Sequence, residues 1–178
     1  AQRRAQLVTV IGDAGVGKTR LVRELIDRVR ADARVVFGRC LPYGDGITFW
    51  PLREMVIAAA GIEPHDSTEV AGEKLRACVL DNDVADRLAS ASGLGATQFP
   101  LHEINWAARK FMQSLAADGP LLAIFDDVHW AEPAFLDLIG NLLETVDAPV
   151  LMLATARHDL LEERAEWSQS DRATRMVL

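Results

Sequence analysis

The stretch Gly12-Asp13-Ala14-Gly15-Val16-Gly17-Lys18-Thr19 has the spacing of a phosphate-gripping turn: one glycine, four residues, then Gly-Lys-Thr. Glycines let the chain bend so that successive N–H groups point into one concavity, and a helix starting there adds positive potential. Lys18 would reach the β- and γ-phosphates of a nucleoside triphosphate, and the Thr19 hydroxyl would ligate magnesium. Gly12, Ala14, Gly15, Val16, Gly17, Lys18 and Thr19 are therefore the candidate nucleotide contacts. Arg20 and Arg39 are weaker candidates for phosphate, each also reading as a surface residue. A lysine in the first turn of a helix faces the positive end of the dipole, which costs a few tenths of a kcal/mol unless an anion sits there. The Lys18 side chain is expected to face solvent when no nucleotide is bound.

A second constellation lies far along the chain. Leu121-Leu122-Ala123-Ile124-Phe125 is an apolar strand that delivers Asp126 and Asp127 at its C-terminal end, the edge where open α/β sheets bind ligands. Asp126 would hold magnesium, through water, and Asp127 would orient or deprotonate an attacking water. Arg157 follows the apolar run Val150 to Ala154 and Thr155-Ala156, so at the same edge its guanidinium could contact a γ-phosphate. Lys18, Asp127 and Arg157 are thus the candidate catalytic residues, and Thr19 and Asp126 the candidate metal ligands. His129 follows the acid pair, but no nucleophile accompanies it, and Trp130 reads as loop packing. His65, His102 and His158 are scattered without metal-ligand spacing.

These residues need a scaffold, and the sequence supplies alternating strands and helices. Gln6 to Ile11 reads as a buried strand, and after the glycine turn Leu21, Val22, Leu25, Ile26 and Val29 fall on one helical face. Val35 to Cys40 predicts a second strand, and Pro51 to Ala60 a helix with proline in its first turn and Gly61 at its end. Ser67 can cap a helix through Leu80, and Val84 to Ala91 suggests another. Leu101 to Ala117 is amphipathic and is stopped by Asp118-Gly119-Pro120. Strand Leu121 to Phe125, helix Ala134 to Glu144, strand Val150 to Ala154, a short helix from Leu160 to Trp167 and a last apolar run Met176 to Leu178 complete the series. Such alternation predicts a parallel sheet covered on both faces, a three-layer α/β/α sandwich.

The 178 residues are enough for one domain with a real core. Basic residues number 19 and acidic 26, a formal charge of −7, and residues 1–60 hold ten of the basic side chains but only six of the acidic. The phosphate turn lies in that basic part. An acidic total argues against this segment gripping a nucleic-acid backbone itself. Two cysteines are too few for a disulfide framework or a zinc site. No apolar run reaches the ~18 residues of a membrane span, and there is no secretory signal, so a cytoplasmic location is expected.

Val10 to Glu24, Gly38-Arg39-Cys40-Leu41-Pro42-Tyr43-Gly44 with Phe49-Trp50-Pro51-Leu52, Phe125 to Pro133, and Ala154 to Leu161 together resemble the signal-transduction ATPases with numerous domains, a branch related to the AAA+ ATPases. The chain is similar to the ATPase module of large bacterial regulators, some ending in a LuxR-type DNA-binding domain and others joining a cyclase-like domain to tetratricopeptide repeats. The resemblance implies a P-loop NTPase core of five parallel strands in the order 5-1-4-3-2, with the strand bearing Arg157 between the loop strand and the acid strand. It implies ATP and Mg²⁺ as ligands, and a nucleotide state that controls self-association or an output domain. Many AAA+ relatives carry glutamate where Asp127 stands, so the shorter acid predicts slow turnover. No helical lid and no arginine finger are visible, and residues 1–178 are expected to be the nucleotide-binding core of a longer multidomain protein. The expectation is a slow Mg-dependent ATPase acting as a signalling switch. A nucleotide-holding oligomerisation scaffold is the alternative. A small-molecule kinase needs an acceptor pocket and a basic lid, and the acidic stretch Glu63 to Asp86 offers neither.

Overall fold

The computed structural model describes residues 4–42, 48–160, 167 and 170–178. Strand β1 (Gln6–Ile11) leads through the glycine turn into helix α1 (Lys18–Val29), which returns the chain to β2 (Arg34–Arg39). Four helices follow: α2 (Trp50–Ala60), α3 (Thr68–Val79), α4 (Asn82–Ala91) and α5 (Leu101–Leu115). The chain then forms β3 (Leu121–Asp126), a single 3₁₀ turn (Val128–Trp130), α6 (Pro133–Thr145), β4 (Val150–Ala156) and β5 (Ala173–Val177). All strand pairs are parallel and the five-stranded sheet has the order β2-β3-β4-β1-β5, which is the expected order read from the other edge.

Local chemistry explains the boundaries. Ser67 accepts from the Val70 N–H and Asp81 from the Val84 N–H, so both weakly periodic helices start on a side-chain cap. Gly61 ends α2 with φ 64°, the left-handed conformation glycine adopts without a Cβ clash. The short helix expected from Leu160 to Trp167 falls mostly on residues 161–166, outside the described residues, as do Tyr43 and Gly44.

The two faces of the sheet are covered unequally. Alternate residues of a strand point to opposite faces. Leu121, Ala123 and Phe125 of β3, with Val150, Met152 and Ala154 of β4, join the larger core built with side chains from α2 to α6. Leu122, Ile124, Val10 and Leu153 form a smaller core whose buried helical member is Val22 of α1. Leu25, Ile26 and Val29 are only half-buried against it, and Leu21, expected on the apolar face, is exposed at 37%. One residue before Val22, it stands about 100° round the helix from it, at the margin of the covered face.

Two contacts in the larger core fix the functional edge. Phe125 meets Phe135 of α6 edge-on, with centroids 5.9 Å apart, immediately before Asp126. Burying a ring of this size stabilises by about 1.5–3 kcal/mol, enough to hold the strand end in place. Gly38 lets α2 approach β2, since a Cβ there would lie 2.2 Å from the Pro51 carbonyl oxygen.

Candidate functional site

The end of β1 is held from both sides. Gly12 N–H donates to the Ala156 carbonyl at 3.2 Å, and Leu178 N–H donates to the Ile11 carbonyl at 2.9 Å. The turn then runs through Gly15 at φ 83° and Gly17 at φ 111°, and nothing lies within 4 Å of where a Cβ would project at either. Backbone geometry, rather than crowding, is therefore what requires glycine there. Gly17 is the N-cap of α1, no side chain caps the helix, and no acid stands in its first turn. Lys18 and Thr19 thus begin a helix whose first turn, among the described residues, carries no side-chain cap and no acid of its own to answer its N–H groups and dipole.

Lys18 departs from the expectation. Its side chain is buried, not solvent-facing, and its Nζ donates to the carbonyls of Gly12 at 2.6 Å and Asp13 at 3.0 Å. The turn brings the Gly12 and Asp13 carbonyls toward the ammonium, and a flexible lysine satisfies its donors on them. Ala14, Gly15, Val16 and Thr19 are exposed around it, while Gly12 is buried and Gly17 half-buried. Arg20 is exposed on α1.

The acid end is a network of side chains from three strands. Asp126 is 4% exposed. Its Oδ2 accepts from Arg39 Nε at 3.0 Å and Arg39 Nη2 at 2.8 Å, and its Oδ1 accepts from the Thr155 hydroxyl at 2.6 Å. The same Thr155 oxygen accepts from the Asp127 N–H at 2.9 Å. Asp127 has φ 58°, a left-handed conformation uncommon outside glycine and the kind of backbone strain that collects at functional sites. From sequence Arg39 reads as a weak phosphate candidate and as a surface residue. Its side chain is 46% exposed, yet it is paired with the most buried acid of the site, and its guanidinium is held above its ordinary pKa by that hydrogen bond.

Loop and acids meet across β4. Neighbouring strands lie ~4.8 Å apart, and β4 separates β1 from β3, so the turn and the acid pair sit roughly 10 Å apart at one sheet edge. Between them stand Thr155 and Ala156, one bonded to each side. Arg157, the next residue, lays its guanidinium over the Trp130 ring, 5.6 Å from the centroid. His129 packs against Trp130 at 5.0 Å, and neither ring nitrogen has a hydrogen-bond partner. Burial lowers the His129 pKa, Asp127 and Asp159 oppose the shift, and Arg157 and Lys18 add to it. The field at that imidazole therefore contains Lys18, Asp127 and Arg157 together.

No group of three or more acids, histidines or cysteines among the described residues could hold a metal by itself. Magnesium keeps most of its waters and is bound through one or two carboxylates plus substrate phosphates. The uncapped start of α1, the buried carboxylate of Asp126 and the exposed Thr19 fit that role.

Thr155 and the pairing role of Arg39 were not identified from sequence. Thr155 is a lone hydroxyl in an apolar strand, two residues before Arg157, and its polarity in a buried run was the available clue. Arg39 closes β2 in register with Asp126, a relation visible only once the strands are paired.

Comparison with known proteins agrees with this geometry. Over 99% of its length the chain superposes on Drosophila ORC bound to AT-rich DNA and Cdc6, with TM-score 0.52 and 13% identity, covering 48% of that chain. Drosophila ORC bound to GC-rich DNA and Cdc6 gives TM-score 0.53 and 14% identity, again over 99% of this chain and 49% of that one. These likenesses show the fold. An uncharacterized protein of Rhizobium meliloti is 30% identical over 97% of this chain, which spans only 18% of that relative's length. Residues 1–153 match the family model of the AAA ATPase domain, and the chain belongs to that family.

Proposed function

We propose that this chain binds ATP with magnesium and hydrolyses it slowly, as the nucleotide-dependent switch of a larger bacterial regulator. The observation that supports this best is the uncapped, glycine-built start of α1 facing a buried acid across one strand. Lys18 would exchange the carbonyls of Gly12 and Asp13 for β- and γ-phosphate oxygens, and the N–H groups of Gly15 to Thr19 would line the phosphate chain. Magnesium, when bound, would neutralise charge on those oxygens, held by the Thr19 hydroxyl and by Asp126 through water. Asp127 would orient an attacking water and accept its proton. Arg157 would leave the Trp130 face to meet charge developing on the γ-phosphate. A side chain one methylene shorter than glutamate holds that water less closely, which is the reason to expect slow turnover.

The length of the Rhizobium meliloti relative supports a role inside a multidomain protein. Cyclase-like, tetratricopeptide or DNA-binding domains of the same chain are the partners in this reading, with nucleotide-dependent self-association and a cytoplasmic location. No helix among the described residues is long and apolar enough to cross a membrane. The test is phosphate release by the wild type and by Asp127→Asn; equal rates would end the catalytic assignment.

A second reading, a scaffold that holds nucleotide without hydrolysing it, is favoured by one feature. Both oxygens of Asp126 are already engaged by protein donors, and Arg157 is engaged by Trp130. Recovery of intact ATP after long incubation with the protein would select this reading over the first.

A further inference from the structure

Arg39 and a metal ion would address the same atom. The guanidinium places two donors on Asp126 Oδ2, at 3.0 and 2.8 Å, while Thr155 holds Oδ1 at 2.6 Å. The pair is asymmetric in freedom. Asp126 is 5% exposed in its side chain and fixed on a central strand, whereas the Arg39 side chain is 46% exposed and rests over the Phe37 ring, 5.9 Å from the centroid. The Arg39 main chain is anchored separately, since its N–H donates to Glu54 Oε2 at 2.6 Å and the preceding Gly38 is packed against Pro51. The guanidinium can therefore leave while its backbone stays. A buried carboxylate needs a compensating charge, but two cations on one oxygen repel each other.

We propose that Arg39 is a latch on Asp126: it compensates the buried acid and is displaced when magnesium arrives with the nucleotide. This rests on the reading of the site as a magnesium-nucleotide site. It makes Arg39 a positioning residue that sets how much magnesium the site needs, and couples metal arrival to the release of a side chain beside α2.

The test measures binding of a fluorescent ADP analogue to the full 178-residue chain over a range of free magnesium, with chelator at the low end. Arg39→Met should lower the magnesium concentration for half-effect about tenfold, because a competing cation is gone. Arg39→Lys keeps the charge but loses the fork, so it should shift the value less, and it carries the test if Arg39→Met does not fold. In an Asp126→Asn background, Arg39→Met should change nothing. Melting temperatures give an independent readout: Arg39→Met should melt below wild type without ligand, and the gap should close with magnesium and ADP. An unchanged or raised magnesium requirement, or a melting gap that stays the same size, would overturn the latch. Failure of the wild type to bind the analogue at any magnesium concentration would instead remove the nucleotide site itself, and the latch with it.

Discussion

Residues 12–19 shape their concavity from main chain, with glycines at φ 83° and 111° and a helix start that no side chain caps. The acid end of β3 is made the opposite way, from Arg39, Asp126 and Thr155 on three neighbouring strands, each filling a hydrogen-bond valence of another. The first region is local in sequence and spends little of the fold's stability. The second is non-local and belongs to the core's own polar network. Changes in the loop should therefore cost mainly ligand affinity, and changes around Asp126 mainly stability.

Gly38→Ala probes the packing behind the network and should have the largest effect. Its Cβ would meet the Pro51 backbone at 2.2 Å, so α2 must shift, and denaturant unfolding should show a loss of about 3 kcal/mol. Thr155→Val keeps the shape but strands the Asp127 N–H and one Asp126 oxygen, for about 2 kcal/mol by the same measurement. Gly17→Ala should cost only about 1 kcal/mol of stability, the strain of a positive φ with open space around it, yet weaken nucleotide binding at least tenfold. If Thr155→Val were silent and Gly17→Ala unfolded the chain, the contrast between the two regions would be reversed. The smallest effect concerns Cys40, beside Arg39, whose thiol pKa burial pushes up to about 12. A thiol reagent at mildly alkaline pH should modify the half-buried Cys78 before Cys40, as read by mass spectrometry.

The same contrast explains what could be read from the sequence. The glycine turn is encoded in eight consecutive residues, and β1 to β4 announce themselves by apolar runs, whereas the expected run Met176 to Leu178 meets only the end of β5, where Thr174 and Arg175 break the apolar pattern. Even the weakly periodic α3 and α4 were signalled, α3 by its Ser67 cap and α4 by the pattern from Val84 to Ala91, although the Asp81 cap that starts α4 was not read. Lys18 was misjudged because its partners are carbonyls of its own turn, whose direction no residue type reveals. Arg39 and Thr155 escaped because their importance comes from register: Arg39 stands opposite Asp126, and Thr155 is the penultimate residue of β4, between the loop and the acids. The surface reading of Arg39 agrees with its 46% exposed side chain, and a surface arginine can still complete a buried acid.

The most direct check is calorimetric titration of ATP into the wild type and Lys18→Ala, each with and without magnesium. The Lys18 ammonium now satisfied by the Gly12 and Asp13 carbonyls should transfer to phosphate, so Lys18→Ala should stay folded and bind at least about thirtyfold more weakly, a loss of about 2 kcal/mol. Magnesium should tighten binding to the wild type. Equal affinity of the two proteins, or no heat of binding in either, would contradict the assignment of residues 12–19 as a triphosphate cradle.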